Sequence, residues 1–492
     1  DCHSTPPTHR RAAEPPTHRR ASRDSMPFVL FLALLASATA APTTKGRRAN
    51  EQPKVRLVVT GETNVARTTR GARASNRVAQ MAAWGGNVTM TIRAAHNTFT
   101  VVEVADPNEA RLFKEQAERS GLRVEEDQRR YPGPSVATRT QPLAEETPWG
   151  IERVYNGAVP NASFFPSAVT HPLCIIDSGY LLTHPDLPSD ATAADPLQAP
   201  AGTMYFGGDL CNHGTHVAGT IAAIGGDGEG VVGVFPGAPG LKIVKVFGEA
   251  GQLDDPPGWP NEACGWTYAS ELVDAVQRCV DSGAKIVSMS LGGGGPSSTE
   301  RDAFQTFFDD GILIVASAGN GGSSSYSYPA SYPSVMSVAA TDSSDAKASF
   351  SQFNDEVDIA APGVDVVSTV GPPSDPGYDS YDGTSMAAPH VSGLAMVLWN
   401  KYPSYTNAEV RTALEGGAED LGEPGRDNEF GHGLANYQGA EMRLGAPSPP
   451  PSPPATPPAP PPPPALPPPS LPSCPLGDVC ATGPCLITDG GS

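Results

Sequence analysis

The chain has 492 residues with 33 Lys+Arg against 53 Asp+Glu, a formal net charge of −20. That is long enough for two or three domains and too acidic for a nucleic-acid binder, which carries a basic face. The charge is also segregated: residues 1–141 hold 22 Lys+Arg and 13 Asp+Glu, a net of +9, and residues 142–492 carry a net of −29.

Residues 1–25 repeat PPTHRRA at Pro6–Ala12 and Pro15–Ala21 and read as an unstructured upstream segment, with Met26 the better N-terminus. Residues 26–40 follow the pattern of a secretory signal, an apolar stretch ending in the small residues Ala38-Thr39-Ala40. The apolar stretch is too short to span a bilayer. In the next segment, 42–130, Val55–Thr60 is strand-like and Asn64–Ala83 helix-like. Val88–Ile92 and Phe99–Val104 alternate as strands about a turn at His96-Asn97. Asp106-Pro107 opens a helix that Gly121 ends, and Leu122–Glu126 is a last strand. The order β-α-β-β-α-β predicts a small α+β, ferredoxin-like domain. A polar linker, 131–146, exposed to proteases, separates it from the region 147–444.

Within 147–444 the runs Leu173–Ile176, Ile243–Val246, Ile286–Met289 and Ile312–Ala316 are apolar except for Lys245 and Ser288. Such runs suit strands buried on both faces, as in a mainly parallel α/β sheet. Beyond it, residues 447–475 contain 18 prolines and predict a disordered, extended polyproline II stretch over 446–475. Residues 476–492 read as the start of a further module bearing cysteines.

Three segments carry residues suited to acyl transfer, in the order Asp, His, Ser: CIIDSG at 174–179, NHGTHVAGT at 212–220 and DGTSMAAPH at 382–390. A hydroxyl nucleophile needs a base to take its proton and a carboxylate to orient that base. A Ser near a helix start also has free backbone N–H groups beside it. The two histidines His213 and His216 lack the Glu of a helical zinc-protease motif, and His216 reads as a packed helix residue. No cysteine is positioned as a nucleophile. The expected chemistry is acyl transfer without an organic cofactor.

These strings resemble those of the subtilisin-like serine proteases, in which the same Asp, His, Ser order occurs. The resemblance implies a three-layer α/β catalytic domain and a secreted endopeptidase, extracellular or in the cell wall, acting on protein or peptide substrates. It implies Asp177 as the orienting carboxylate, His213 as the base and Ser385 as the nucleophile. Asn320, in VASAGN at 315–320, would be the oxyanion donor. Ser290, Leu291 and Gly292 would pair with the substrate backbone, and Ser317, Ala318 and Gly319 would wall the primary pocket. Tyr328-Pro329 would be a cis peptide on the pocket's far side, and Ser327, if inward, would make that pocket shallow. A structural calcium would engage Glu145, Asp186, Asp227 and Val231, hard oxygen donors suited to that ion. The leader would act as an intramolecular inhibitor removed by self-cleavage. Its charge, opposite to that of the rest of the chain, predicts electrostatic steering between the two. The competing expectation is a matrix or cell-wall structural protein with an inactive protease-like domain, in contact with the extracellular matrix through its Pro-rich tail.

Four cysteines, Cys174, Cys211, Cys264 and Cys279, lie in the main region and allow three pairings. Cys264 with Cys279 is the most local, and Cys174, in a core strand, reads as a free buried thiol.

Overall fold

A computed structural model describes residues 54–61, 78–133, 144–160, 164–166, 168–195, 206–247, 264–371 and 377–445. The segments read as upstream sequence, signal, Pro-rich stretch and terminal module lie outside the described residues, as does most of the helix expected over Asn64–Ala83.

The first strands are β1 (Val55–Gly61), β2 (Asn87–Ala94), β3 (Asn97–Val104) and β4 (Leu122–Glu126). They form one antiparallel sheet in the order β2-β3-β1-β4. The β2–β3 turn centres on Ala95 and His96, both at positive φ, one residue earlier than the sequence suggested. Helix α1, described over 78–83, and α2 (Pro107–Arg119) cover one face. Here Leu57, Val59, Met81, Val102 and Phe113 form the core. Helix α2 starts where the sequence said. The Asp106 carboxylate accepts the N–H groups of Asn108 and Glu109 at 2.7 and 3.0 Å, satisfying donors that have no partner inside the helix.

The main sheet has seven parallel strands. They are β6 (Leu173–Asp177), β7 (Thr192–Ala193), β8 (Lys242–Lys245), β10 (Ile286–Met289), β12 (Leu313–Ser317), β13 (Met336–Thr341) and β14 (Ile359–Pro362). Their spatial order is β14-β13-β12-β10-β6-β8-β7. Successive side chains alternate between the faces. Leu173 and Ile175 enter one apolar core, and Cys174 and Ile176 the other. That double burial explains the uninterrupted apolar runs.

The first core surrounds α4 (His213–Ala222) and α7 (Thr384–Lys401), the latter buried from Thr384 through Asn400. The second core holds α5 (Ala269–Asp281) and α6 (Ser298–Asp309). It also takes in Val58, Ile92, Phe99 and Val101 from the second face of the N-terminal sheet. The burial of apolar area on both faces of that small sheet is therefore completed by α5 and α6. No helix among the described residues is long and apolar enough to cross a membrane.

The cysteines pair as Cys174–Cys279 and Cys211–Cys264, not as the most local pair, and Cys174 is not a free thiol. Cys264 precedes α5, and Cys279 lies in its last turn. At 1.5 Å rise per residue the helix holds them roughly 15 Å apart, whereas a disulfide needs Cα atoms within about 7 Å. Cys174, facing α5 from β6, is 5.8 Å from Cys279 between Cα atoms.

Candidate active site

Asp177 ends β6, His213 opens α4, Ser385 is the second residue of α7 and Asn320 follows β12. Asp177 and Asn320 therefore stand at or just beyond the carboxyl ends of parallel strands, the usual ligand-binding end of an α/β sheet, and His213 and Ser385 stand in the first turns of two helices. The His213 helix is held tightly against the Asp177 strand. A side chain on Gly214 would put its Cβ 2.3 Å from the Gly179 carbonyl and 3.1 Å from Asp177 Cβ. Asp209, a residue that sequence reasoning missed, fixes the helix entrance. Its carboxylate accepts the N–H groups of Cys211, Asn212 and Thr215 and the Thr215 hydroxyl at 2.8–3.1 Å.

His213 Nδ1 lies 2.8 Å from Asp177 Oδ1, which also accepts the Ser178 N–H at 2.7 Å. Asp177 Oδ2 and His213 Nε2 are buried with no hydrogen-bond partner. Burial opposes a charge on the His213 ring, but the charge and hydrogen bond of Asp177, with Asp209 behind, outweigh it and raise the imidazole above its ordinary value. His216 is different. Its ring stacks on Tyr381 at 4.3 Å and bonds the Val366 carbonyl at 2.9 Å. Burial, helped by the neighbouring His213, lowers it to about 3. It is a neutral core residue, as the sequence suggested.

Ser385 Oγ donates to the Ser290 carbonyl at 3.3 Å, and Ser290 Oγ donates to the Ser385 carbonyl at 2.7 Å. Asn320 Oδ1 accepts the N–H and hydroxyl of Thr384 at 2.9 and 2.8 Å, which turns its amide nitrogen toward Ser385.

The polar linker expected from residue 131 begins instead as a strand. Here β5 (Arg129–Pro132) runs antiparallel to both β11 (Leu291–Gly292) and β9 (Thr267–Tyr268). Pro132 is opposite Leu291, and Tyr131 is opposite Gly292. Gly133 then meets the candidate residues: a Cβ there would lie 2.2 Å from Ser385 Oγ and 2.9 Å from Asn320 Nδ2. Beyond it, residues 134–143 lie outside the described set. Two glycines near this strand end are closely packed. A Cβ on Gly319, whose φ is +110°, would strike Gln352 Oε1 at 1.8 Å and come 3.1 Å from Ser327 Cβ. One on Gly292 would come 2.6 Å from Ser327 Oγ. Ser327 thus points inward between the strand of Ser317 and Ala318 and that of Leu291. Gln352 is a further neighbour that no sequence signal marked. The Tyr328–Pro329 bond is cis.

Two acids on or just after β4 reach across to the main region. Glu125 accepts from Ser297 Oγ, Ser298 N and Oγ, and Thr299 N at 2.8–2.9 Å, at the start of α6. Asp127 accepts from Ser270 N and Oγ at the start of α5 and pairs with Arg56. Each carboxylate sits at a helix N-terminus, where orphan N–H groups and the helix dipole favour negative charge. Arg56–Glu271 and Arg123–Asp302 are further ion pairs across the same boundary.

The residues suggested for calcium do gather near one loop. Glu145 Oε2 accepts the N–H groups of Gly226, Asp227 and Gly228, and Asp186 Oδ2 accepts that of Val231. Asp227 Oδ1 caps Glu229 N. Among the described residues no three acidic, His or Cys side chains converge as metal ligands. Asp186 Oδ1, however, is buried and without a partner, the atom a hard cation would satisfy.

The sequence profile of the Subtilase family matches residues 171–433, a span that contains every candidate residue except those of the leader and Glu145. The chain belongs to the subtilase family. It is 38% identical over 300 residues to the M-protease of Shouchella clausii (strain KSM-K16), covering 61% of this chain and 70% of that one. It is also 38% identical over 299 residues to subtilisin Savinase of Lederbergia lenta, covering 60% and 99%. Among solved structures, it resembles the subtilisin-like protease Apa1 of Pseudoalteromonas sp. AS-11 at a TM-score of 0.51 and 32% identity, covering 61% of this chain and 98% of that one. Fervidolysin from Fervidobacterium pennivorans, a keratinolytic enzyme, matches at a TM-score of 0.62 and 26% identity, covering 80% and 62%. This subtilase is accordingly a serine endopeptidase of the subtilisin type with the α/β fold and large parallel sheet of that group.

Proposed function

We propose that this subtilase is a secreted, self-processing zymogen that hydrolyses peptide bonds through Asp177, His213, Ser385 and Asn320. The observation that carries the reading is the 2.8 Å contact of Asp177 with His213 Nδ1, which leaves Nε2 unpartnered. Asp177 holds the ring so that Nε2 is the free base. Ser385 leaves its bond to the Ser290 carbonyl, gives its proton to Nε2 and attacks the substrate carbonyl carbon. The negative charge that develops on the carbonyl oxygen is met by Asn320 Nδ2 and the Ser385 N–H at the start of α7. The protonated His213 then gives its proton to the amine as the C–N bond breaks. A water that gives its proton to His213 hydrolyses the resulting acyl-Ser385 ester and restores the free serine. A lost oxyanion donor costs about 3 kcal/mol.

The leader, a ferredoxin-like sheet ending in β5, is the resident inhibitor. Its strand lies between β9 and β11 as an extended substrate would, backbone paired by β-augmentation, with Gly133 in the primary position. The inward Ser327 and Gln352 favour small side chains there. Two disulfides fit an oxidising, extracellular setting. The orphaned Asp186 Oδ1 fits a structural calcium held with oxygen donors of the 226–231 loop, a site that stiffens the loop and takes no part in the chemistry.

The test is casein turnover by the full-length chain and its loss with a serine-directed phosphonate. In a host lacking other proteases, Ser385→Ala should leave an uncleaved precursor. Normal maturation of that variant would refute self-processing.

A further inference from the structure

The leader strand carries a charge into the cleft that no part of the mechanism uses. Arg130, three residues before Gly133, is fully buried, and so is the side chain of Glu300. Its guanidinium meets the Glu300 carboxylate through two bonds, Nε to Oε1 at 3.1 Å and Nη2 to Oε2. Nη2 also donates to the Gly295 carbonyl at 3.0 Å, and Nη1 to the carbonyl of Arg129 at 3.0 Å. The carboxylate is held independently of the arginine. Tyr332 Oη lies 2.8 Å from Glu300 Oε2 and takes the Ser297 N–H at 2.9 Å. The Glu300 N–H is itself capped by Ser297 Oγ at 3.1 Å.

Glu300, Tyr332 and Gly295 belong to the main region, not to the leader. They remain in the cleft when β5 leaves. A buried carboxylate without a positive partner is expensive, so whatever strand replaces β5 is selected by what it offers at this point. The planar fork of a guanidinium fits two carboxylate oxygens and a nearby carbonyl together, which a lysine ammonium cannot do.

We propose that Glu300 and Tyr332 form an arginine-selective subsite, so that this subtilase prefers substrates with Arg at the fourth residue before the cleaved bond, counting the residue at the Gly133 position as the first. This rests on the reading of β5 as a substrate-like strand.

The full-length chain, expressed and left to mature, is assayed on casein and on a quenched fluorescent peptide made in three forms. The fourth position holds arginine, its neutral isostere citrulline, or leucine. Charged hydrogen bonds of this kind correspond to roughly a 10- to 100-fold preference in kcat/KM for arginine over citrulline. Glu300→Gln should bring that ratio to within about threefold, chiefly by lowering kcat/KM for the arginine peptide. Equal cleavage of the three peptides by the wild-type enzyme, with casein turned over, overturns the subsite alone. That comparison does not depend on the variant folding. If casein is not hydrolysed either, the endopeptidase reading falls and the subsite with it.

Discussion

Replacing Glu125 by glutamine removes one charge from the leader and leaves its shape. In the structure the two carboxylate oxygens accept four hydrogen bonds at the first turn of α6, Oε1 from Ser297 Oγ and Thr299 N, Oε2 from Ser298 N and Oγ. These bonds hold the carboxyl below its ordinary value despite the burial that opposes them. The amide keeps one oxygen, so two of the four bonds survive as neutral ones. Of the other two positions, the backbone N–H then faces the NH2 group donor against donor, and the serine hydroxyl must turn round to accept from it. Two charge-assisted bonds at about 1.5 kcal/mol each, with up to about 1 kcal/mol from the helix terminus, give a loss of roughly 3–4 kcal/mol. Some of this is recovered because water reaches the partly open site, so the expected weakening of the leader as an inhibitor is about 2–3 kcal/mol, roughly 30- to 150-fold in Ki. The measurement is slow-binding inhibition of the matured enzyme by the segment 51–133 with and without the substitution, at low and high salt. The fall should appear mainly in the off-rate. The on-rate should drop modestly with salt for both forms, because the segment 51–133, with 13 Lys+Arg against 10 Asp+Glu, and the strongly acidic remainder attract at long range. A Ki unchanged within threefold would refute the capping argument, and equal on-rates at the two salts would reduce the charge split to a solubility feature.

Asp177→Asn should lower kcat by about 10⁴-fold. The acid limb of its kcat/KM profile should also move down in pH, because Asp177 is what raises the His213 ring and a protonated ring cannot accept the Ser385 proton; an unmoved limb would assign the titration elsewhere. Ser327→Gly should widen the primary pocket and raise kcat/KM for a peptide with leucine there over one with alanine, by about tenfold if about 1.5 kcal/mol of side-chain burial is gained. No change in that ratio would mean that Gln352 alone sets the depth. Chelation by EGTA should lower the thermal midpoint, since a ligand at a thousandfold excess over its Kd contributes about 4 kcal/mol. An identical melting curve would remove calcium from Asp186.

Much of this was legible in the sequence because the features are local. Apolar runs doubly buried in a parallel sheet, Asp106-Pro107 at a helix start and the three strings around Asp177, His213 and Ser385 each declare themselves within a few residues. What stayed hidden depends on distance in the fold. Cys174 meets Cys279 only because α5 lies back over β6, and proximity in sequence pointed to the wrong partner. Gln352 joins Ser327, which the sequence did mark, only because the segment between β13 and β14 folds back beside it. Glu125, Asp127 and Glu300 look like ordinary surface acids. Their roles come from helix N-termini and an arginine contributed by other parts of the chain, for which one-dimensional spacing has no signal.

The two disulfides bear on how the molecule ages. Cys211 stands two residues before His213, and its partner Cys264 leads into the cleft strand at Thr267. Cys174, three residues before Asp177, is tied to the end of α5. An enzyme that cuts peptide bonds is always in the company of copies of itself, and some will be nicked. A cut between 211 and 264 severs the backbone but not the covalent link, and the outer bridge spans the same interval. Both fragments stay attached to the two residues that meet at 2.8 Å, so a nicked molecule would run as two bands on a reducing gel and one band on a non-reducing gel, and still turn over substrate.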